Sequence, residues 1–114
     1  MTTALLDPET DRAAHAFVEK LTGQFDVASA ILFGSRARHQ HRADSDADVA
    51  VILHGSKGAF LDTKLAMADV AFDILLETGV LIQPLPIWEA EWSHPEDFSN
   101  PDLLRNIRRD GVRL

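Results

Sequence analysis

The sequence predicts a small α/β domain in which a three-stranded sheet packs against about four helices. Helical and strand patterns alternate along the chain in the order helix, strand, turn, strand, helix, strand, helix. The length of 114 residues, with 46% hydrophobic residues, matches one domain with a single core. We therefore expect residues 1–114 to fold as one domain, with residues 1–6 forming a loose tail.

The first helix is predicted from its end signals and its apolar side. Asp7 suits the N-cap, Pro8 suits the first turn, and Gly23 ends the pattern. Between these ends, apolar residues recur at helical spacing and should pack on the sheet. They are Ala14, Phe17, Val18 and Leu21.

Two strands are predicted on either side of a turn. Residues 28–33 are apolar except for Ser29, as in a strand covered on both faces. In residues 46–53 the side chains alternate, so Asp46 and Asp48 share one face. The other face is apolar and belongs to the core; it consists of Ala47, Val49, Val51 and Leu53. Two adjacent carboxylates repel each other unless a cation lies between them. The pair therefore predicts a Mg²⁺ site.

The turn after the first strand has the residues of a phosphate site. Gly34 marks a point where the backbone turns or approaches a ligand closely. Residues 35–38 could begin a short helix, whose exposed N–H groups would lie beside the Ser35 hydroxyl and the guanidinium groups of Arg36 and Arg38. Phosphate-binding groups next to paired acids indicate a metal-bound nucleoside triphosphate.

These residues resemble the signature of a known family. The nucleotidyltransferase fold shared with DNA polymerase β carries the signature G-S-x-A-R…S-D-x-D, and the chain matches it at residues 34–38 and 45–48. The resemblance is to the short, minimal nucleotidyltransferases. It extends over nearly the whole chain and includes the closing segment at residues 106–112. It implies a mixed sheet, with the active site at the end where Gly34, Ser35, Asp46 and Asp48 meet.

The resemblance also implies a role for each motif residue. Asp46 and Asp48 would be both the Mg²⁺ ligands and the catalytic residues. The nucleotide-binding residues would be Gly34, Ser35, Arg36, Arg38 and Ser45. Of the two arginines, Arg36 or Arg38 should lie near the phosphate charge. In the structural alternative, the two acids only cap the turn at the strand entrance.

The position of a third acid decides what chemistry to expect. Active members of the family commonly carry a third carboxylate on the next strand, which helps to bind metal and activates the acceptor hydroxyl. We predict that strand at residues 80–87, with prolines that place it at the sheet edge, and there the chain has Gln83. An amide does not accept a proton at neutral pH. Either Glu77 or Glu89 substitutes, or turnover is slow or absent.

The longest helix is predicted at residues 59–78, with Gly79 ending it. Its apolar residues at helical spacing should form the stripe that faces the core. These are Leu61, Leu65, Ala68, Phe72 and Leu75 or Leu76.

The last part of the chain combines aromatic, acidic and basic residues. Trp88, Trp92 and Phe98 either cover one end of the core or form a patch for a partner, and the sequence leaves this choice open. A final helix should begin after Asn100 and stop at Gly111. Four arginines lie at its end and either complement the helix dipole or engage an acidic partner or RNA. They are Arg105, Arg108, Arg109 and Arg113.

Composition excludes several classes of function. The formal net charge of −7 argues against binding of long nucleic acids, which needs clustered Lys and Arg. The absence of cysteine excludes disulfides and thiolate metal sites. No segment looks like a leader peptide or approaches the length of about 20 apolar residues that spans a bilayer. We therefore expect a soluble, cytoplasmic protein without a membrane partner.

Three functional hypotheses follow from the residues and the resemblance. In the first, the protein transfers a nucleoside monophosphate, AMP from Mg-ATP, to a hydroxyl of a HEPN-domain toxin and so acts as its antitoxin. In the second, it is a weak or inactive nucleotide-binding subunit that neutralises the partner by forming a complex. In the third, it is a small-molecule nucleotidyltransferase of the antibiotic-modifying kind. A single domain offers few walls for a small acceptor, although a homo-oligomer could supply them.

Overall fold

The computed structural model describes residues 6–114, and most of the predicted tail lies outside them. The helices are α1 (Pro8–Thr22), α2 (Phe60–Thr78), α3 (Glu89–Ser93) and α4 (Pro101–Asp110), and a 3₁₀ turn spans Pro95–Asp97. The strands are β1 (Val27–Phe33), β2 (Ala47–Leu53), β3 (Ile82–Trp88) and β4 (Val112–Arg113). Leu6, the last residue of the predicted tail, is partly buried against the core. The strands predicted from sequence are all present, with ends that differ by one or two residues.

The sheet has four strands, so the prediction of three strands was wrong by one. The strand order is β3-β2-β1-β4, with β1 antiparallel to both β2 and β4 and with β2 parallel to β3. The sheet is therefore mixed, and β3 lies at an edge, as its prolines indicated. The additional strand pairs Val112 with Leu32 and Arg113 with Ile31. A strand of two residues is too short to produce a periodic pattern, which is why sequence analysis missed it.

Helices cover both faces of the sheet. On one face, alternate residues of β2 pack against α1 and α2, with Val49 and Val51 fully buried. On the other face, Ala50 and Ile52 pack with Phe98 and with α4. The alternation predicted for β2 is confirmed. Asp48 lies two residues before Ala50 on the strand, so its side chain is on the same face of the sheet. This is the face that α4 covers.

The predicted orientation of α2 was wrong. The residues of α2 that the structure buries are Met67, Val70, Ala71 and Ile74. The large residues of the predicted stripe are instead exposed: Leu61 by 64%, Leu65 by 58%, Phe72 by 56% and Leu76 by 71%. Both sets have helical spacing, so periodicity alone could not decide which one faces the sheet.

The aromatic residues near the end of the chain belong mainly to the core. Trp88 is buried with α1 and α2, whereas Phe98 is buried on the opposite face of the sheet. Trp92 is partly buried and lies under the Arg108 guanidinium, whose carbon is 4.3 Å from the ring centre. Arg108 also donates a hydrogen bond to the Trp92 carbonyl. Asn100 caps α4 as predicted, accepting from the Leu103 N–H.

None of the helices in residues 6–114 is long and apolar enough to cross a membrane.

The corrected orientation of α2 can be tested with a pair of alanine substitutions. Ile74→Ala removes a buried side chain and should lower the free energy of unfolding by about 2–5 kcal/mol. Leu76→Ala, two residues away on the exposed side, should change it by less than about 0.5 kcal/mol. Urea denaturation of the two variants measures both values. Equal losses would mean that the predicted stripe faces the core after all.

Candidate functional site

The two acids lie at the entrance of β2, beside the glycine that ends β1. Asp48 pairs with Phe33 across the antiparallel strands, so the next residue, Gly34, meets the Asp48 side chain. A Cβ atom at Gly34 would overlap Asp48 Oδ2. Gly34 also has φ +77°, a conformation that other residues rarely adopt. Glycine at this position is therefore required both by the turn and by the close approach of the carboxylate.

The residues after Gly34 form a hydrogen-bonded turn. The N–H groups of Ala37 and Arg38 both donate to the Gly34 carbonyl at 3.2 Å. The short helix predicted at residues 35–38 is absent; these residues form a turn, in which Gln40 N–H donates to the Ser35 carbonyl at 2.9 Å. The N–H groups that precede the first bonded one have no partner within such a turn. Phosphate binding by Gly34 and Ser35 stays a prediction.

Arg36 lies in the protein interior, where it cannot reach a phosphate at the surface. It is 1% exposed, and its guanidinium donates to the Ser45 carbonyl at 3.0 Å and the Ala43 carbonyl at 3.2 Å. A third bond, of 2.7 Å, goes to the Thr10 hydroxyl of α1. Of the two arginines offered by the motif, Arg36 therefore positions the loop. Only Arg38 remains near the acids.

A small polar network ties this loop to the start of α1. Asp7 accepts from the Thr10 N–H at 3.0 Å and from the Thr10 hydroxyl at 2.6 Å. His41 Nε2 lies 2.8 Å from the same carboxylate. Burial raises the pKa of Asp7, but the Thr10 hydrogen bonds and the charges of His41 and Arg36 outweigh it, so the pKa is lowered overall. The sequence predicts a helix cap at Asp7, but its pattern does not indicate this second role.

Ser45 also supports the loop. Its hydroxyl accepts a hydrogen bond of 2.9 Å from the Arg42 N–H, and its carbonyl accepts from Arg36. These bonds fix the chain immediately before Asp46. The structure thus places Ser45 next to the acids, with its hydroxyl oxygen engaged in the loop.

Of the two paired acids, Asp48 is the one that is less exposed to water. It is half-buried, and this burial raises its pKa, as does the charge of Asp46, whereas the charge of Arg38 partly opposes the rise. Asp46, by contrast, is exposed. The mutual repulsion that the sequence predicted is thus present between these carboxylates.

A cleft of about 260 Å³ adjoins Asp48 and includes residues that sequence analysis did not select. Gly34 and Arg38 line one side, and Asn106 and Asp110 of α4 line the other. Phe33, Leu103 and Ile107 form its apolar part. The closing segment at residues 106–112 had been matched to the family, but its pattern did not show that it folds back beside the acids.

No third acid joins Asp46 and Asp48 within residues 6–114. Gln83 pairs in register with Asp48, and its amide donates to Asp46 Oδ2 at 3.2 Å. The amide thus lies where the family comparison expects a carboxylate. Glu77 is paired instead with Lys20 of α1 at 3.0 Å.

Glu89 lies at the opposite end of β2 and β3. It accepts from the Gly55 N–H at 3.1 Å and lies 3.1 Å from His54 Nδ1. Neither proposed substitute, Glu77 or Glu89, therefore stands beside the paired acids.

A larger groove, of about 560 Å³, opens away from the acids, between the sheet and α3 and α4. His54, Glu89, Arg108 and Arg113 contribute its polar groups. Size alone would favour this groove, but its carboxylate is already held by His54 and Gly55. The smaller cleft contains the acid with the raised pKa and is therefore the better candidate for the functional site.

Comparisons with known proteins agree with this fold. The mixed sheet, with paired acids beside a glycine turn, defines the class as a nucleotidyltransferase-like α/β domain. The family model described as "Polymerase beta, Nucleotidyltransferase" matches residues 16–85, which is more than half of the chain. The chain therefore belongs to the polymerase β nucleotidyltransferase family. Membership supports nucleotidyl transfer as the general activity.

One solved structure gives an independent view of the fold. A protein from Sulfolobus solfataricus described as a candidate nucleotidyltransferase superposes with a TM-score of 0.58. The match covers 92% of this chain and 81% of that one, at 21% sequence identity. At this identity the likeness supports the fold alone. No curated protein matches the sequence significantly.

The two carboxylates of Asp46 and Asp48 are too few to hold a metal ion by themselves. They are better suited to a metal ion that binds together with a nucleotide. Nucleotidyltransferases of this family typically use a divalent metal, and Mg²⁺ binds through one or two carboxylates together with substrate phosphates and water. Asp46 and Asp48 supply two carboxylates whose repulsion a cation would relieve. Without a third acid, we expect a divalent metal to bind weakly unless further oxygen ligands are present.

The raised pKa of Asp48 predicts how stability depends on pH. A carboxyl group whose pKa is higher in the folded state destabilises the fold when it is ionised, and the penalty disappears as pH falls below that pKa. Asp48→Asn should therefore raise the thermal midpoint at pH 7 by roughly 1–4 °C in the absence of metal. The gain should shrink as pH is lowered from 7 towards 4.

The matched control is Asp44→Asn, which removes a charge from an exposed position of the same loop. It should leave the midpoint unchanged at both pH values. Differential scanning calorimetry of the three proteins measures the effect. A fall in the midpoint of Asp48→Asn at pH 7 would contradict the assignment of Asp48 as a strained, half-buried charge.

Proposed function

We propose that this protein transfers AMP from Mg²⁺-ATP to a hydroxyl group of a partner protein. The observation that carries the proposal is the close approach of Asp48 to the Gly34 turn, with Asp46 alongside, in a chain of the polymerase β nucleotidyltransferase family. The choice of AMP and of a protein acceptor comes from the resemblance to minimal nucleotidyltransferases.

The nucleotide would lie across the Gly34 turn and the cleft beside Asp48. Asp46 and Asp48 would hold Mg²⁺ together with the phosphate oxygens. Arg38 borders the same cleft and would offset part of the phosphate charge. The apolar part of the cleft and the Asn106 amide would contact the nucleoside. The bound metal would neutralise charge on the phosphates during transfer.

Transfer requires a bond exchange at the α-phosphorus. The acceptor oxygen forms a bond to this atom, the bond to the β-phosphate oxygen breaks, and pyrophosphate leaves. The hydroxyl proton must go to a base. Gln83 lies beside Asp46 but cannot accept a proton, so we expect the proton to leave to water. General bases typically contribute factors of about 10²–10⁴, so transfer should be slow.

The amide of Gln83 beside Asp46 also favours a second candidate function. With an amide in place of the third carboxylate, the protein would bind nucleotide and neutralise its partner by forming a complex, without modifying it. The two candidates share the same site and the same partner. They differ only in whether the partner gains mass.

The partner we propose is a HEPN-domain toxin, for which this protein would be the antitoxin. Two features support a large acceptor: Asp46 and Gln83 are exposed, and the cleft is open. The net charge of −7 suits a basic nuclease. Adenylylation would add bulk and negative charge near an RNA-binding surface. Such a charge would oppose binding of the phosphate backbone by the toxin.

Co-expression with the product of the neighbouring open reading frame tests this proposal. We expect the two proteins to copurify and the partner to gain the mass of one AMP when measured intact. The gain should disappear with Asp46→Asn/Asp48→Asn and persist with Asp44→Asn. Gln83→Asp should restore a base and raise the rate of transfer roughly tenfold or more.

Other outcomes of the co-expression and Gln83→Asp experiments would lead to different conclusions. A stable complex without added mass supports the second candidate. Failure of the two proteins to copurify, with no mass added to the partner, would contradict the antitoxin role. Fast transfer by the wild type that collapses in Gln83→Asp would show that the interpretation of the third position is wrong.

A further inference from the structure

One side of α2 carries an apolar surface that no described part of the chain covers. Its large side chains, all more than half exposed, are Leu61, Leu65, Phe72 and Leu76. Ala68 is also exposed and lies between them. We call these five residues the α2 stripe. A single exposed leucine is ordinary on a protein surface, but a contiguous row of large apolar side chains marks an interaction site.

The α2 stripe has the spacing of a helix-packing seam. Its members follow one another at intervals of four, three, four and four residues. Intervals of three and four residues place side chains in a row that inserts between the side chains of a second helix. The opposite side of α2 is already packed on the sheet through Met67, Val70 and Ile74. The stripe is therefore a second apolar face that is suited to another helix.

The charges beside the stripe restrict what can cover it. Asp62, Asp69 and Asp73 are exposed on α2, as is Glu77, which pairs with Lys20. The only basic residue of α2 is Lys64, whose ammonium group lies 6.0 Å from the centre of the Phe60 ring. The border of the stripe that Asp62, Asp69 and Asp73 form is thus acidic.

This acidic border argues against two occupants. A second copy of the chain packed through the same stripe would bring two acidic borders together, and like charges facing each other are destabilising. Helices that lie on membrane surfaces carry Lys and Arg on their polar side, which is the reverse of what α2 has. A basic helix satisfies both the apolar row and its acidic border.

We propose that the α2 stripe is a docking surface for an amphipathic helix of a partner protein, with an apolar seam bordered by Lys and Arg. The stripe supplies the apolar centre of the interface. The acids Asp62, Asp69 and Asp73 supply its charged rim.

The position of the stripe connects it to the candidate site. α2 ends at Thr78, and β3 begins at Ile82, which pairs with Ala47 between Asp46 and Asp48. The Leu76 end of the stripe therefore lies at the same end of the sheet as the paired acids. A helix docked on the stripe would bring its protein next to the site where transfer is proposed. That last step rests on the proposed function, whereas the docking surface does not.

Two synthetic helical peptides of about three heptads each provide the probe. They share the same leucine seam, and one carries Lys at the bordering positions where the other carries Glu. We expect the Lys peptide to bind the protein at least roughly tenfold more tightly than the Glu peptide, as measured by fluorescence anisotropy. The preference should weaken as the salt concentration rises.

Three variants locate the binding. Leu65→Gln/Phe72→Gln should weaken binding of the Lys peptide roughly tenfold or more, without lowering the thermal midpoint, since both side chains are exposed. Asp69→Asn/Asp73→Asn should reduce the preference for the Lys peptide. Arg12→Gln/Glu19→Gln, at exposed positions of α1, is the matched control and should bind as the wild type does.

The docking surface and the proposed function can fail separately. Asp46→Asn/Asp48→Asn disables the nucleotide site and should bind the Lys peptide as the wild type does. The docking proposal is overturned if neither peptide binds, if both bind equally, or if Leu65→Gln/Phe72→Gln binds unchanged. It is also overturned if sedimentation velocity shows a wild-type dimer that Leu65→Gln/Phe72→Gln dissociates, because the occupant is then a second copy.

Discussion

The buried guanidinium of Arg36 is the interaction on which the candidate site depends. It bonds to the Thr10 hydroxyl of α1 and to two carbonyls of the loop that precedes Asp46. A fully buried charge is tolerated only when hydrogen bonds replace the lost water. These bonds therefore fix the loop in one conformation, with Asp46 and Asp48 beside the Gly34 turn. Without these hydrogen bonds, the Gly34 turn and the paired acids would no longer be held next to each other.

The strands and the site motif could be predicted because each leaves a local pattern. The apolar run of β1 and the alternation of β2 follow from burial on two faces, and both are present. Gly34 could be identified because glycine favours such a turn, whose positive φ the structure confirms, and the acids could be identified from their alternate positions and the spacing of the signature. In these elements, what a residue does is determined largely by its immediate neighbours along the chain.

The parts that could not be predicted depend on contacts between distant segments. The two-residue β4 exists only because α4 returns the chain to β1. Arg36 was selected as a phosphate ligand from its place in the motif, and only its contact with Thr10, 26 residues earlier, shows that it points inward. α2 has two apolar sides, and the sheet decides which one is buried. When a helix has two apolar sides, its sequence alone does not show which side faces the core. The structure shows which side is buried and which side is exposed.

The most direct test of the account is the position of a metal–nucleotide complex. Crystals grown with Mn²⁺ and a non-hydrolysable ATP analogue would locate the metal by its anomalous scattering. The account predicts manganese bound to both Asp46 and Asp48, with the phosphates against the Gly34 turn and the nucleoside towards Asn106. Manganese away from these acids, or the nucleotide in the larger groove beside His54 and Arg113, would contradict it.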